Sequence, residues 1–316
     1  MRRQPITRVH IVLAAMGVLL LSAACAGRID PIDVTTVSAP TVTLPARPDS
    51  ARFAVIGDTG TGGPAQYRVA ARLTAAHTRF PFEFVVMTGD NLYGSEGSRD
   101  YETKFAIPYK VLLDAGVKFY ASLGNHDDAN QVFYKPFNMD GKRFYTFKPK
   151  ANLRFFALDS TYMSPDQLEW LEKELSASGS DWKIAFFHHP LYSEGRHGSD
   201  LRLRQALEPL FGEHAVDVVF VGHEHFYERL KPQNGIRYFT SGGAAKLRRG
   251  DIDRDADFHA AGFDEGYHFM LVEIVDDELH FQVITDQGRT VDAGMIQRRQ
   301  EPRGPTATSS RAPTRN

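Results

Sequence analysis

The stretch Phe53-Ala54-Val55-Ile56-Gly57-Asp58-Thr59-Gly60 joins a short apolar run to a glycine and a carboxylate. Four consecutive apolar residues that end at a glycine are typical of a strand buried on both faces. The glycine lets the backbone turn sharply where the strand stops. The sequence therefore predicts a buried strand that delivers Asp58 to one edge of a sheet.

The same arrangement recurs after four further apolar runs. These runs are Phe84–Met87, Phe119–Leu123, Ile184–Phe187 and Val216–Val221. The residues that follow them are Gly89-Asp90-Asn91-Leu92-Tyr93, Gly124-Asn125-His126-Asp127, His188-His189-Pro190 and Gly222-His223-Glu224-His225. In open α/β sheets, ligands bind in the crevice at the carboxyl ends of the strands. We therefore expect these distant segments, all rich in potential metal ligands, to converge on one site.

Helical patterns lie between the predicted strands. The clearest begins at Ser164-Pro165, an N-cap followed by the residue favoured at the first helical position. Weaker patterns cover 64–78, 100–115 and 200–213, and two β-rich runs between Tyr267 and Val291 predict a terminal hairpin. Alternating strands and helices predict a single α/β domain over residues 51–296.

Both ends of the chain have a different character. Residues 1–25 contain a basic start, an apolar run and small residues, which is the pattern of a signal peptide. We therefore expect export from the cytoplasm, to a bacterial periplasm, an outer-membrane anchor or the medium. Cys25 is either the lipid acceptor of a lipoprotein or part of a simple cleavage site. Residues 26–50 are predicted to be a Pro-rich extended tether, and 297–316 a disordered tail.

Composition excludes several classes of protein. The 316 residues carry 37 basic and 39 acidic side chains, so that no nucleic-acid partner is expected. Cys25 is the only cysteine, and an intramolecular disulfide framework is therefore excluded. The oligomeric state stays open.

The five segments together resemble the calcineurin-like metallophosphoesterases, from about Arg52 to Gly243. The tyrosine of Gly89-Asp90-x-x-Tyr93 narrows the likeness to the purple acid phosphatase branch. This resemblance implies a layered α/β/β/α sandwich, in which two packed mixed sheets are flanked by helices.

The resemblance also implies two metal ions per chain. One would be held by the residues Asp58, Asp90, Tyr93 and His225. The other would be held by Asp90, Asn125, His188 and His223, with Asp90 shared. Anionic oxygens favour a trivalent ion and nitrogen-rich ligation a divalent one, so that we expect Fe(III) paired with divalent Fe, Zn or Mn.

The implied function is the hydrolysis of small phosphate esters, most simply phosphomonoesters, by a metal-activated hydroxide. The resemblance gives His126 and His197 the roles of contacting the phosphate or donating a proton. Asp127 is expected to orient His126. For the loop 242–266, contact of Lys246, Arg248 or Arg249 with phosphate and a merely solvated loop are both open.

Other functions would place different demands on these residues. A phosphodiesterase or a nucleotide pyrophosphohydrolase would use the same ligands, and a non-catalytic metal-bound surface protein would show a degraded ligand set. A nucleotide-binding loop at Gly57–Gly63 is excluded, because Asp58 would repel phosphate and the glycine spacing does not match the fingerprint.

Overall fold

A computed structural model describes residues 37–299. The predicted signal peptide, Cys25, residues 26–36 of the predicted tether and residues 300–316 of the predicted tail lie outside this range. Within it, no helix combines the length and the apolar character that crossing a membrane requires.

The described residues form a strand-rich α/β domain. Its strands are β1 (Ala51–Ile56), β2 (Phe84–Met87), β3 (Lys118–Ala121), β4 (Tyr145–Lys150), β5 (Leu153–Ala157), β6 (Trp182–Phe186), β7 (Val218–Val221), β8 (Tyr227–Leu230), β9 (Arg237–Ser241), β10 (His259–Phe263), β11 (His268–Val275), β12 (Glu278–Thr285) and β13 (Thr290–Gln297). Its α-helices are α1 (Pro64–His77), α2 (Ser98–Tyr101), α3 (Lys110–Asp114), α4 (Pro165–Ser176) and α5 (Leu201–Glu213).

The strands form two mixed sheets. Sheet 1 has the order β13-β12-β11-β1-β2-β3, and sheet 2 the order β10-β8-β9-β7-β6-β5-β4. The pairs β1–β2 and β2–β3 are parallel, as are β5–β6, β6–β7 and β7–β9. The remaining pairs are antiparallel. Parallel strands bring their carboxyl ends to one edge, and the loops of interest start there.

Aromatic side chains fill the space between the sheets. Phe53 of sheet 1 stacks on Phe84 at 5.1 Å between ring centroids, and it meets Phe155 of sheet 2 edge-on at 5.2 Å. Phe156, the next residue along β5, belongs instead to a second core that includes Leu171 of α4 and Leu207 of α5. Neighbouring strand residues point to opposite faces, so α4 and α5 cover the outer face of sheet 2. The predicted layered architecture is confirmed.

Two local predictions differ from the structure. The predicted helix over 100–115 is wrong as a single element, because a π-helical turn at Glu102–Ala106 separates α2 from α3. Pro108 explains the break, since it lacks the backbone N–H that a continuous helix would need there. The predicted hairpin is a three-stranded meander, β11–β13, whose last strand continues to Gln297.

The described part of the predicted tether is attached to the domain. The backbone N–H groups of Ala46 and Arg47 donate to the carboxylate of Glu273, at 2.7 and 2.6 Å. Val42 and Leu44 pack against the main core. Residues 37–50 are therefore a bound strap rather than a free linker, which corrects that part of the prediction.

Candidate metal centre

The loops that carry the predicted ligands leave their strands in an uncommon backbone conformation. Asp58, Asp90 and His223 all have positive φ angles, of 56°, 51° and 70°. This left-handed region costs L-residues roughly 1–2 kcal/mol, and such strain clusters at functional sites. Each strained residue follows a glycine at the end of a parallel strand, so that its side chain turns across the sheet edge.

Asp58, Tyr93 and His225 form a first cluster. The Tyr93 hydroxyl donates to Asp58 Oδ1 at 2.9 Å and lies 3.4 Å from His225 Nε2. His225 Nε2 is itself 3.3 Å from Asp58 Oδ1. A carboxylate, a phenol and an imidazole thus present one donor atom each to a common point.

A second cluster contains Asp90, Asn125, His188 and His223. Nδ1 of His188 lies 3.0 Å from the carbonyl oxygen of Thr88, which can only accept, so Nδ1 carries the ring proton. Nε2 therefore presents a lone pair, 2.9 Å from Asn125 Oδ1 and 3.3 Å from Asp90 Oδ1. His223 Nδ1 approaches the same atoms, at 3.1 Å from Asn125 Oδ1 and 3.2 Å from His188 Nε2.

Such a set of acceptors is satisfied by a cation. His188 Nε2 and Asn125 Oδ1 face each other with lone pairs at 2.9 Å, and a cation between them would remove their repulsion. The two clusters are also adjacent, because ligand atoms of Asp58, Asp90 and His188 lie within 4.8 Å of one another. The residues present therefore fit a metal centre, and Asp90 lies where the two clusters meet.

Electrostatics agree with this reading. Burial, and then the carboxylate of Asp90, raise the pKa of Asp58 well above its usual value. Burial is also the main cause that lowers the pKa of His188, and it lowers those of His223 to about 2 and His225 to about 3. The imidazoles are thus neutral at physiological pH, which is the form that binds metals.

Glycine permits the close approach of the loops. A Cβ on Gly60 would lie 1.8 Å from the carbonyl oxygen of Asn91, and one on Gly124 would lie 2.2 Å from Asp90 Oδ1. Neither contact leaves room for a methyl group. The glycines of the motifs therefore set the spacing between the loops after β1, β2 and β3.

The two predicted catalytic histidines lie at the exposed rim of the clusters. The His126 ring is exposed and lies 5.0 Å from the Tyr93 ring, while its backbone N–H donates to Asp90 Oδ1 at 3.0 Å. The His197 ring lies 4.4 Å from that of His223. Both imidazoles are thus beside the candidate metal centre, on the side that faces solvent.

Part of the loop 242–266 also faces the candidate metal centre. The Lys246 ammonium lies 4.3 Å above the Tyr93 ring, and Arg248 Nη1 lies 2.8 Å from His197 Nδ1. Arg249, by contrast, is exposed. The strand β10 also lies within 242–266, a segment that the sequence analysis treated as loop.

Sequence reasoning missed Glu224. Its buried side chain accepts from the backbone N–H of His197 at 3.1 Å and lies 3.4 Å from Arg248 Nη1, so it fastens both residues beside the centre. Its place between His223 and His225 was the available signal, since the residue between two strand-end histidines turns away from them into the protein.

The structure corrects the role expected for Asp127. Its described hydrogen bonds join the two ligand loops rather than orienting His126. Oδ1 accepts from the backbone N–H of Leu92 at 3.0 Å, and Oδ2 from that of Gly124 at 2.8 Å. Asp127 therefore holds the loop of Asp90 and Tyr93 against the loop of Asn125.

Comparison with known proteins now decides the family. The model of the calcineurin-like phosphoesterases matches residues 51–227, which is more than half of the chain. The chain belongs to the calcineurin-like phosphoesterase family. Within this family it is similar to Purple acid phosphatase 17 of Arabidopsis thaliana, with 30% identity over 248 residues that cover 66% of this chain and 73% of that protein. The predicted purple acid phosphatase branch is thereby confirmed.

Three further likenesses each cover about four fifths of this chain. Tartrate-resistant acid phosphatase type 5 of Homo sapiens is 24% identical over 311 residues, covering 82% of this chain and 96% of that protein. The solved structure of the purple acid phosphatase PPD1 from yellow lupin, Lupinus luteus, aligns with a TM-score of 0.69 at 18% identity, covering 81% of this chain and 55% of that one. GAP50, described as the anchor in the inner membrane complex of Plasmodium, also aligns at 0.69, with 17% identity over 80% and 90% of the two chains.

The two solved structures show only that the fold is shared. The class of activity follows from the family model and the sequence relatives. This calcineurin-like phosphoesterase is a metal-dependent phosphoric ester hydrolase.

Proposed function

We propose that the protein hydrolyses phosphate monoesters at a dinuclear centre. Asp58, Asp90, Tyr93 and His225 would hold one ion, and Asp90, Asn125, His188 and His223 the other. The observation that supports this proposal most directly is the pair of adjacent donor clusters that meet at Asp90. Two ions held there would supply a water of lowered pKa and neutralise phosphate charge.

The chain's own residues then act on the substrate from the solvent side. His126 donates a proton to the leaving-group oxygen, because its exposed ring lies at the rim beside Tyr93. His197 and Arg248 hold phosphate oxygens, and buried Glu224 keeps both in place. The cationic groups of Lys246 and Arg248 favour a dianionic monoester over a diester with a single negative charge.

A direct comparison of two esters tests this function. We expect the metal-loaded protein to hydrolyse 4-nitrophenyl phosphate with a kcat/KM at least about tenfold above that for bis(4-nitrophenyl) phosphate. The replacement His126→Ala should lower kcat on the monoester by about 10²-fold or more, because a positioned general acid contributes about that much. His280→Ala, on β12 and away from the clusters, is the control. A faster diester reaction would overturn the proposed monoester preference.

The ligand set also leads to a proposal about the metals. We infer Fe(III) in the cluster of Asp58, Tyr93 and His225, since it offers hard oxygen donors, and divalent Fe, Zn or Mn in the second cluster. Burial and the neighbouring carboxylates raise the pKa of the Tyr93 phenol. Tyr93 is thus neutral in the absence of an ion, and an Fe(III) ion held there would have to displace its proton.

This proposal predicts a visible colour. Iron-loaded protein should show a tyrosinate-to-iron charge-transfer band, and Tyr93→Phe should abolish it, because the phenolate is then missing. Absorption spectra taken with metal analysis on both proteins will measure this. Tyr120→Phe, in sheet 1 and away from the clusters, should keep the band. A colourless wild type containing iron would refute the role of Tyr93.

We further propose that the protein acts outside the cytoplasm, on the strength of the signal pattern in residues 1–25. The alternatives at Cys25, lipid attachment or simple cleavage, would place the same hydrolytic domain on a membrane surface or free in solution.

A further inference from the structure

A cavity opens directly beside the candidate metal centre. It has a volume of 310 Å³, and His189, His197 and His223 line the side nearest the clusters. Asp200 and Arg202 line its far side, where α5 begins. A phosphate ester bound at the centre has an alcohol part that must lie somewhere on this solvent side, and this cavity is the adjacent space.

A second cavity adjoins the first at Asp200 and Arg202, which line both. Its volume is 470 Å³, and its other lining residues include Tyr162, Met163 and Leu168. We call the two adjoining cavities together the groove, which is polar near the metal centre and partly apolar at its far end.

Tyr162 is an exposed aromatic residue at this far end. Its relative accessibility is 65%, although a tyrosine ring is costly to leave in water. The Arg143 guanidinium lies 4.5 Å from the ring centroid and supports the ring. An exposed ring whose position is already supported is suited to stacking on a planar ligand.

The loop that carries Tyr162 is held by hydrogen bonds to a buried carboxylate and to Gln167. Asp159, which is buried, accepts from the backbone N–H groups of Thr161 and Tyr162 at 3.0 and 3.2 Å, and from Arg143 Nε at 2.6 Å. The side chain of Gln167 bonds both the N–H and the carbonyl of Asp159. These bonds favour the described conformation of the loop without a ligand.

Ser160 joins this loop to the metal centre. Its Oγ accepts from the backbone N–H groups of His188 and His189, at 3.2 and 3.0 Å, and lies 2.9 Å from His189 Nδ1. The distance between the aromatic end of the groove and the donor clusters is thus set by hydrogen bonds through a single residue.

We propose that this groove is a subsite for the alcohol part of a nucleoside 5′-monophosphate, with Tyr162 stacking on the base. The polar cavity beside His189 and Asp200 accommodates a sugar, and the partly apolar cavity accommodates a planar ring. A simple aryl phosphate lacks the spacer that would carry its ring past the polar part. The proposal rests on the proposed phosphomonoesterase activity, since the phosphate must lie at the metal centre.

The test compares adenosine 5′-monophosphate with ribose 5-phosphate, which has the same phosphate and sugar but no base. The metal-loaded wild type should show at least about tenfold higher kcat/KM for the nucleotide, because stacking of a base on an aromatic side chain has about this effect or more. Tyr162→Ala should remove the advantage through a higher KM for the nucleotide while leaving ribose 5-phosphate unchanged. Tyr162→Phe should retain it, and Phe133→Ala, at another exposed aromatic residue, should have no effect.

The possible failures are distinguishable. Equal kcat/KM for the two substrates in the wild type, or an equal loss on both in Tyr162→Ala, would overturn the subsite. Hydrolysis of neither ester would instead contradict the proposed function. In that case, equilibrium dialysis of adenosine 5′-monophosphate against metal-loaded wild type and Tyr162→Ala still decides: weaker binding to the variant supports the subsite, and equal binding refutes it.

Discussion

Replacing Asp90 with asparagine should leave a folded protein that retains neither metal ion. Asp90 Oδ1 lies 3.3 Å from His188 Nε2, and ligand atoms of Asp58, Asp90 and His188 converge, so both proposed ion sites lose a carboxylate. Asparagine is the informative replacement because it tolerates the left-handed backbone, with a φ of 51°, that Asp90 adopts. Asp90→Ala should lose both ions too, but would add backbone strain.

Metal analysis after dialysis measures the result, with two ions per chain expected for the wild type and fewer than about 0.2 for the variant, because even losing a residue that only supports a ligand lowers metal affinity about 10–100-fold. Asp114→Asn, which alters an exposed ion pair with Lys110, is the matched control. Retention of two ions by Asp90→Asn would refute the shared-ligand assignment.

In the metal-free protein, Asp90→Asn should raise the stability of the fold. A carboxyl group whose pKa is raised on folding destabilises the folded state above its ordinary pKa. The charge of Asp90 is one cause of the raised pKa of Asp58. Metal-free Asp90→Asn should therefore unfold at a higher temperature than metal-free wild type at pH 7, with the gain shrinking as pH falls through the carboxyl range.

The replacement Gly60→Ala should damage both stability and metal binding. The added Cβ would lie 1.8 Å from the carbonyl oxygen of Asn91 and 2.5 Å from the Cα of Leu92, which are backbone atoms that no side-chain rotation can remove. The loops after β1 and β2 must then separate, which moves Asp58 away from Tyr93. We expect a loss of at least about 2 kcal/mol in the free energy of unfolding, together with reduced metal content.

The control for this change is Gly212→Ala. Gly212 lies in α5, where an added Cβ meets no atom within 4 Å, so this replacement should stabilise by about 0.5–1 kcal/mol. Denaturant unfolding of the two variants and the wild type gives both values. A Gly60→Ala variant as stable as the wild type would refute the claim that the loops after β1 and β2 cannot accommodate a Cβ at this position.

The segments that carry the predicted donor residues are visible in the sequence because each follows a short apolar run at a strand end. The choice of ligands within them rests on the family resemblance, and the structure brings all seven predicted residues together in two adjacent clusters. The contacts of Glu224 and Ser160 were not predictable in this way. Glu224 reaches Arg248, and Ser160 reaches His189, across loops that only the tertiary fold brings together.

The missed elements of the fold have equally specific reasons. Strand β8 contains Glu228 and Arg229, so it lacks the continuous apolar pattern of a buried strand. The strap at 37–50 has the composition of a free linker, because its attachments are backbone groups bonded to Glu273 and Gln282, more than 200 residues away. Pro108 is visible in the sequence, and its missing N–H predicts that the helix over 100–115 is divided there.

The donor clusters take their side chains from both sheets. Asp58, Asp90 and Asn125 follow strands of sheet 1, whereas His188 and His223 follow strands of sheet 2. Ions held between them would link the two sheets at this edge, because the sheets cannot separate without releasing the ions. A chain deprived of its metals would then be short-lived as well as inactive, so that supply of the ions governs how long each molecule survives.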